Sequence, residues 1–241
     1  MISKASFFLL AVSILAGNPT AANVLPAPGA PLSEYANLTL AGEAIIVNNC
    51  PFDVFAYSVD CDRGFTAAEE FIVRKRSVYK EPIRIPSNLG GISIKINTMS
   101  TAGPAQVITQ LEYTVAPPTP YSADPGVFKM PGMIYYDLSF VDCAMSAATG
   151  AERCPLWVNG LAAICDGEDE GCENLVCPPN TECPSAAYYD PSGSASVRLQ
   201  PDGTYKNQQP NSAVVGLDKS IRFTLCESTS ALKRGATSFI A

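Results

Sequence analysis

Apolar and polar residues alternate with a period of two wherever this chain carries a clear pattern, and that period belongs to half-buried strands. In Ile92-Ser-Ile-Lys-Ile96 three isoleucines face one way, and Ser93 and Lys95 face the other. Val107 to Val115 repeats the pattern: Val107, Thr109, Leu111, Tyr113 and Val115 form the apolar side, with Gln110 and Glu112 opposite. Pro117-Pro-Thr-Pro120 ends that strand, because proline cannot donate to a ladder. Ile134 to Val141 follows suit, with Ile134, Tyr136, Leu138 and Phe140 inward and Asp137 and Ser139 outward. Ile45-Ile-Val47 is contiguous and β-branched, as in a strand covered on both faces. Asn48, Asn49 and Pro51 then turn the chain. A second strand follows with Phe55, Tyr57 and Val59 on its apolar side, so the run from Ala44 reads as a hairpin with Phe52, Phe55 and Tyr57 in the core. Shorter strands are expected at Phe71–Val73 and Ile83–Ile85, around the basic bend Arg74-Lys-Arg76, and at Ser196–Leu199 and Ile221–Leu225. One short helix is expected over Leu156–Cys165. Many short strands between turn signals imply an all-β antiparallel sandwich or barrel.

The unpatterned stretches divide the chain. Residues 1–22 read as a secretory signal: Lys4 at the start, an apolar run from Phe7 to Ala16, and small residues at Thr20-Ala-Ala22. That run is too short to span a bilayer, and no later run reaches about 18 apolar residues. Residues 23–42, rich in Pro and Ala, read as a flexible leader, and Asn37-Leu-Thr39 within it is a glycosylation sequon. A β domain is expected over 43–226. Inside it, 144–191 loses strand alternation while holding most of the cysteines, which suggests a loop-rich subdomain held by cross-links. Residues 227–241 form a tail whose Lys233-Arg234 is an exposed pair or a dibasic processing site.

Composition narrows the function. The chain has 241 residues, a net charge of −7 and only 16% charged residues. A nucleic-acid surface needs a basic patch, and this balance opposes one. With no histidine, Ser-His-Asp and Cys-His nucleophilic sites are excluded, as is any zinc site using imidazole. Nine cysteines point to an oxidising compartment, and the odd count leaves one thiol free or intermolecular. They are Cys50, Cys61, Cys143, Cys154, Cys165, Cys172, Cys177, Cys183 and Cys226. The spacing from Cys165 to Cys183 lacks the short pairs of a zinc ribbon, so disulfides are the better reading. Asp166-Gly-Glu-Asp-Glu-Gly171 imitates the start of a calcium loop, but Cys177 stands where a bidentate Glu is needed. No metal and no cofactor is expected.

Three motifs in order carry a family likeness. Val47-Asn-Asn-Cys-Pro-Phe52 resembles the opening strand of the thaumatin-like (osmotin) superfamily. Gln110-Leu-Glu-Tyr-Thr-Val115 resembles its "AEFTL" strand, and Tyr136-Asp-Leu-Ser-Phe-Val-Asp142 its "YDVSLVDG" stretch. With Gly91–Ile96 and Tyr135–Ser139, the likeness is to the fungal branch of small secreted yeast-phase-specific proteins, over roughly Ala44–Cys226. Plant members carry many more cysteines, and only Cys50 and Cys226 match at both ends. The resemblance implies a β-sandwich with a disulfide-rich loop subdomain beside it. A Cys50–Cys226 bond is expected, because the two cysteines close the first and last strand regions while most of the others lie together.

The family's acidic cleft uses one Arg, one Glu and three Asp. Glu112 matches the Glu, Asp137 and Asp142 match two Asp, Lys95 stands at the Arg position, and Asp190 is the candidate for the third Asp. Lys95, Glu112 and Asp137 lie on the polar sides of their strands, so they can share a surface. Asp142 lies at an odd offset from Asp137 and joins them only if its strand ends near Val141. The cleft would hold a carbohydrate or a cationic ligand; otherwise these residues form a solvated sheet face. Lys95 should lower nearby carboxyl pKa values, which works against a proton donor. The leading expectation is a secreted, non-enzymatic, monomeric protein acting at the cell wall or outside the cell. Its partner would be β-glucan, another wall carbohydrate or a host surface protein. One alternative is a weak endo-β-1,3-glucanase using Glu112, Asp137 and Asp142. The other is a structural wall component tethered through the ninth cysteine.

Overall fold

A computed structural model describes residues 34–35, 38–62, 69–100, 107–118, 132–143, 154–165, 174–189, 197–199, 205–207 and 213–227. The signal, Asn37, the calcium-like loop, Cys172, Asp190 and Lys233-Arg234 lie outside these residues. Among the described residues there is no α-helix, and none is long and apolar enough to cross a membrane.

Two sheets face each other. With strands labelled in chain order, the first runs β4 (Ser77–Arg84), β1 (Thr39–Asn48), β14 (Ile221–Leu225), β8 (Leu161–Cys165), β9 (Leu175–Cys177). The second runs β10 (Ala187–Tyr188), β7 (Met133–Ser139), β6 (Thr109–Ala116), β5 (Ile92–Asn97), β2 (Val54–Val59), β3 (Phe71–Val73), and β13 (Ala213–Gly216) also pairs with β7. A separate two-stranded ribbon joins β11 (Val197–Leu199) to β12 (Tyr205–Asn207). Pairing is antiparallel except for β1 with β14 and β10 with β7. The fold is an all-β sandwich.

The alternation places the core. Ile92, Ile94, Ile96, Leu111, Tyr113, Val115, Ile134, Tyr136, Leu138 and Phe140 are all buried between the sheets. They meet Ile46, Ile83, Leu161, Ala163, Ile221 and Phe223 from the other layer. Each large apolar side chain so buried contributes about 1.5–3 kcal/mol.

The first and last strands are neighbours, with Asn48 opposite Leu225 in a parallel register. Parallel strands point the same way, so the residues just beyond both ends come side by side. Cys50 and Cys226 are bonded there, with Cα atoms 5.0 Å apart and 176 residues of separation. Closing a loop of this length restricts the unfolded chain by roughly 5 kcal/mol on the chain-entropy account.

Several local expectations change. The strand begins at Thr39 rather than Ala44, and Tyr35 and Leu40, within the stretch read as leader, are buried. β1 and β2 do not pair as a hairpin; the turn between them carries the chain from one sheet to the other. Asn48 holds that crossing. Its buried Nδ2 donates to the carbonyls of Phe52, Val73 and Arg74, and its Oδ1 accepts from the Cys50 N–H. A buried amide satisfied on both ends fixes the local path. In β2 the core-facing residues are Val54 and Ala56, not Phe55 and Val59. Small side chains suffice inside because Ile94 and Ile96 already fill the space beside them.

The helix expected over Leu156–Cys165 is absent. Leu156 and Gly160 take positive φ values of 70° and 75°, which ends any helix. Leu161–Cys165 instead pairs with β14. The cross-linked stretch is tied into both layers: β8 and β9 extend the first sheet and β10 extends the second. Cys143–Cys154 and Cys177–Cys183 are bonded, and Cys165 is disulfide-bonded as well.

Candidate functional site

The outer face of the second sheet carries the polar half of each alternating strand. Register aligns these residues into rows. Tyr57, Lys95, Gln110 and Ser139 form one row across β2, β5, β6 and β7. Val59, Ser93, Glu112 and Asp137 form the next. Lys95, Glu112 and Asp137 therefore do share one surface. β7 stops at Ser139 and residues 141–143 form a turn, so the odd offset of Asp142 does not carry it to the core side. Lys95 Nζ donates to Asp142 Oδ2 and to Gln110 Oε1, both at 2.5 Å.

The two rows differ in how well their charges are matched. In the first, Gln110 Oε1 also accepts from Ser93 Oγ of the second row (2.9 Å), and Gln110 Nε2 donates to Ser139 Oγ (3.3 Å). In the second, two carboxyl groups stand directly opposite each other on adjacent strands and hydrogen-bond to one another. A hydrogen bond between two carboxyls requires a proton on one of them. Burial first, and then the facing Glu112 carboxylate, push Asp137 up to about 8. Glu112 is also raised, by burial first; Lys95 and Ser139 pull it back only in part. The expected lowering by Lys95 is thus real but loses to desolvation. Asp137 Oδ1 is buried and has no hydrogen-bond partner.

Beside this pair is a cleft of about 380 Å³, lined by Val59, Asp60, Cys61, Gly91, Ser93, Glu112, Thr114 and Asp137 among others. Gly91 keeps it open: a Cβ there would lie 2.8 Å from Thr114 Oγ1. Cys61 is exposed and is the free cysteine among the described residues. Of the residues proposed from sequence, Glu112 and Asp137 line the cleft, and the Lys95–Asp142 pair lies one row further along the face.

Sequence reasoning put Ser93 and Gln110 on the polar side of their strands without giving them a role in the site, and named neither Thr114 nor Tyr57 there. Thr114 is legible in hindsight as a polar member of an alternating strand. Tyr57 is not, because it is buried on the outer face, opposite Lys95 in register. Burial raises its phenol, helped by the Asp142 and Glu70 carboxylates.

A second polar cluster lies at the end of the cleft, turned inward. Arg84 binds Asp60 at 2.9 Å and Glu81 at 2.9 Å, with side-chain exposures of only 13%, 2% and 9%. Ser58 Oγ accepts from Arg84 and donates to Glu81. Every member has a partner.

Three comparisons bear on what the molecule is. Residues 32–227 match the family model described as Bys1, Blastomyces yeast-phase-specific protein. An antigenic thaumatin-like protein of Arthroderma benhamiae is 30% identical over 142 residues, 58% of this chain. The matched region spans 62% of that relative's length. The crystal structure of the protein elicitor MoHrip2 from Magnaporthe oryzae aligns with a TM-score of 0.45 at 18% identity, over 78% of this chain and 100% of that one.

Proposed function

The chain belongs to the Blastomyces yeast-phase-specific protein family, and from that membership we propose that it is a secreted recognition protein that binds carbohydrate of the cell wall through the Glu112–Asp137 cleft. The observation that carries this reading is the cleft's chemistry. A protonated carboxyl, a buried unpaired Oδ1, and the hydroxyls of Ser93 and Thr114 border one opening. Sugar hydroxyls both donate and accept, and such a mixed set of groups suits them. The disulfides accord with an oxidising compartment.

The protein acts without hydrolysing its ligand. Glycosidases need two carboxyls about 5–5.5 Å apart for retention or about 6.5–9.5 Å apart for inversion. Glu112 and Asp137 interact directly across adjacent strands and both carboxyl pKa values are raised, so neither stands as the separate ionised carboxylate such a pair requires. One observation favours a second reading, endo-β-1,3-glucan hydrolysis: the proton held at Asp137 is what a general acid requires. Asp142 would then be the second carboxylate. Retention on insoluble β-1,3-glucan, with reducing sugar assayed on the same sample, separates the two. Recognition predicts retention that falls in Glu112→Ala and Asp137→Ala, with no sugar released. Release that disappears in both variants establishes the hydrolase, and no retention at all removes glucan as the ligand.

A further inference from the structure

Away from the cleft, the link between β3 and β4 gathers unusual residues for an acidic chain. Arg74, Lys75 and Arg76 are consecutive and exposed. Arg74 has 77% of its side chain exposed and meets Asp53 only at 3.9 Å. Ile72 just before the turn and Val78 just after it are 50% and 54% exposed. Met99, 53% exposed, follows β5 at the same end of the sheet, since Asn97 and Val73 both lie at the Val54–Phe55 end of β2. Three of the four exposed large hydrophobics among the described residues therefore accompany three adjacent cations.

The turn is held rigidly. Asn48 Nδ2 donates to the carbonyls of Val73 and Arg74, the Lys75 N–H donates to Asp53 Oδ1 at 2.7 Å, and Ser77 Oγ donates to the Arg74 carbonyl at 2.7 Å. Below it, Phe71 stacks on Tyr79 with ring centroids 3.9 Å apart, clamping the edges of the two sheets. The cations are thus presented on a fixed tip.

We propose that this tip docks the protein reversibly on an anionic phospholipid surface. Cations contact lipid phosphates, while aliphatic side chains beside them enter the interfacial region. The charge argues for an anionic partner. The aliphatic pair argues for a bilayer over a hydrated anionic polymer, which offers no apolar layer. A protein partner would need about 800 Å² of contact on this chain, more than a single turn and its flanks present. The proposal is independent of the carbohydrate reading, because none of its residues lines the cleft.

Co-sedimentation of the full chain with vesicles tests it, using phosphatidylcholine alone and phosphatidylcholine with phosphatidylserine. Binding is expected only to the mixed vesicles and should weaken as salt rises. The triple variant Arg74→Gln/Lys75→Gln/Arg76→Asn removes the charge. Asn is chosen because Arg76 has a φ of 55°, which Asn tolerates. At about fivefold per cation, it should lose roughly 100-fold in partitioning. Ile72→Thr/Val78→Thr keeps strand propensity and should lose at least about fivefold. Equal binding to both vesicle types, or undiminished binding by either variant, overturns the proposal. Retention on dextran sulfate beads that matches vesicle binding and ignores the Thr variant also overturns it, in favour of simple polyanion contact.

Discussion

Two charged clusters meet the same cleft, one through Glu112 and Asp137 and the other through Asp60, and they are built on opposite principles. The inward cluster of Arg84, Asp60, Glu81 and Ser58 closes its charges on themselves: each charge has an opposite charge, and only the neutral Tyr113 hydroxyl beside it is buried without a hydrogen-bond partner. The outward cluster does not close. Lys95 neutralises Asp142, which leaves Glu112 and Asp137 facing each other with one proton between them and an oxygen without a partner. Buried polar groups in native proteins are normally satisfied, and the exception at Asp137 is the one the proposed ligand would satisfy. The closed cluster holds the sheets together, and the open one is available for binding.

The largest expected effect comes from opening the closed cluster. Arg84→Met keeps the bulk of the side chain but strands Asp60 and Glu81 beside the core. Breaking a buried pair from one side costs about 3–5 kcal/mol, and the 13% exposure of Arg84 places the effect near the lower end. Urea unfolding measures it. A loss under about 1 kcal/mol would mean that water reaches this cluster as it does an ordinary surface pair.

Closing the open cluster should act in the other direction. Asp137 has an ordinary pKa of 3.8 and is raised to about 8 in the folded protein. Between those values the folded chain holds a proton that the unfolded chain has lost, so this group makes stability fall as pH rises from about 4 to about 8. Asp137→Asn imitates the protonated form and removes the slope. The variant should match the parent near pH 4 and exceed it at pH 8 by ~1–2 kcal/mol, the full shift being discounted for coupling to Glu112 and partial solvent access. Thermal unfolding at the two pH values checks this, and a parent whose stability rises from pH 4 to 8 in step with the variant's contradicts the shared proton.

Smaller changes sharpen the contrast. Lys95→Gln removes a partly exposed ion pair and should alter stability by no more than about 1 kcal/mol. It should also raise the pKa of Glu112, since Lys95 is what pulls that value down. Carboxyl-carbon NMR reads this directly, and an unmoved Glu112 would show that the two rows are electrically separate. Gly91→Ala should barely change folding but should weaken glucan retention several-fold, because the added methyl presses on Thr114 Oγ1. Equal retention would place the ligand elsewhere on the face.

How far the sequence reaches follows from the same contrast. Strand faces on β5, β6 and β7 are readable because one face is buried and the period is strict, so Ile92, Leu111 and Tyr136 declare themselves. The outer face of those strands is readable for the same reason, and Lys95, Glu112 and Asp137 land on it together. Charge states are not readable. They depend on Glu112 and Asp137 being directly opposite in register and half-buried, and register between strands separated by a long connection leaves no mark in either strand. β2 misleads because its larger residues, Phe55 and Tyr57, lie on the outer side while Val54 and Ala56 face the core. Leu156–Cys165 misleads because an apolar run suits helix and strand alike until the positive φ of Gly160 is known.

In the proposed function the unclosed cluster, and not the closed one, receives the ligand. Amide NMR of the labelled chain, titrated with a soluble β-1,3-glucan oligosaccharide, tests it most directly. Saturable shifts are expected at Ser93, Glu112, Thr114 and Asp137 across β5, β6 and β7, with Glu81 and Arg84 on β4 unmoved. Saturable shifts centred on Glu81 and Arg84, or none anywhere at millimolar oligosaccharide, would contradict this reading.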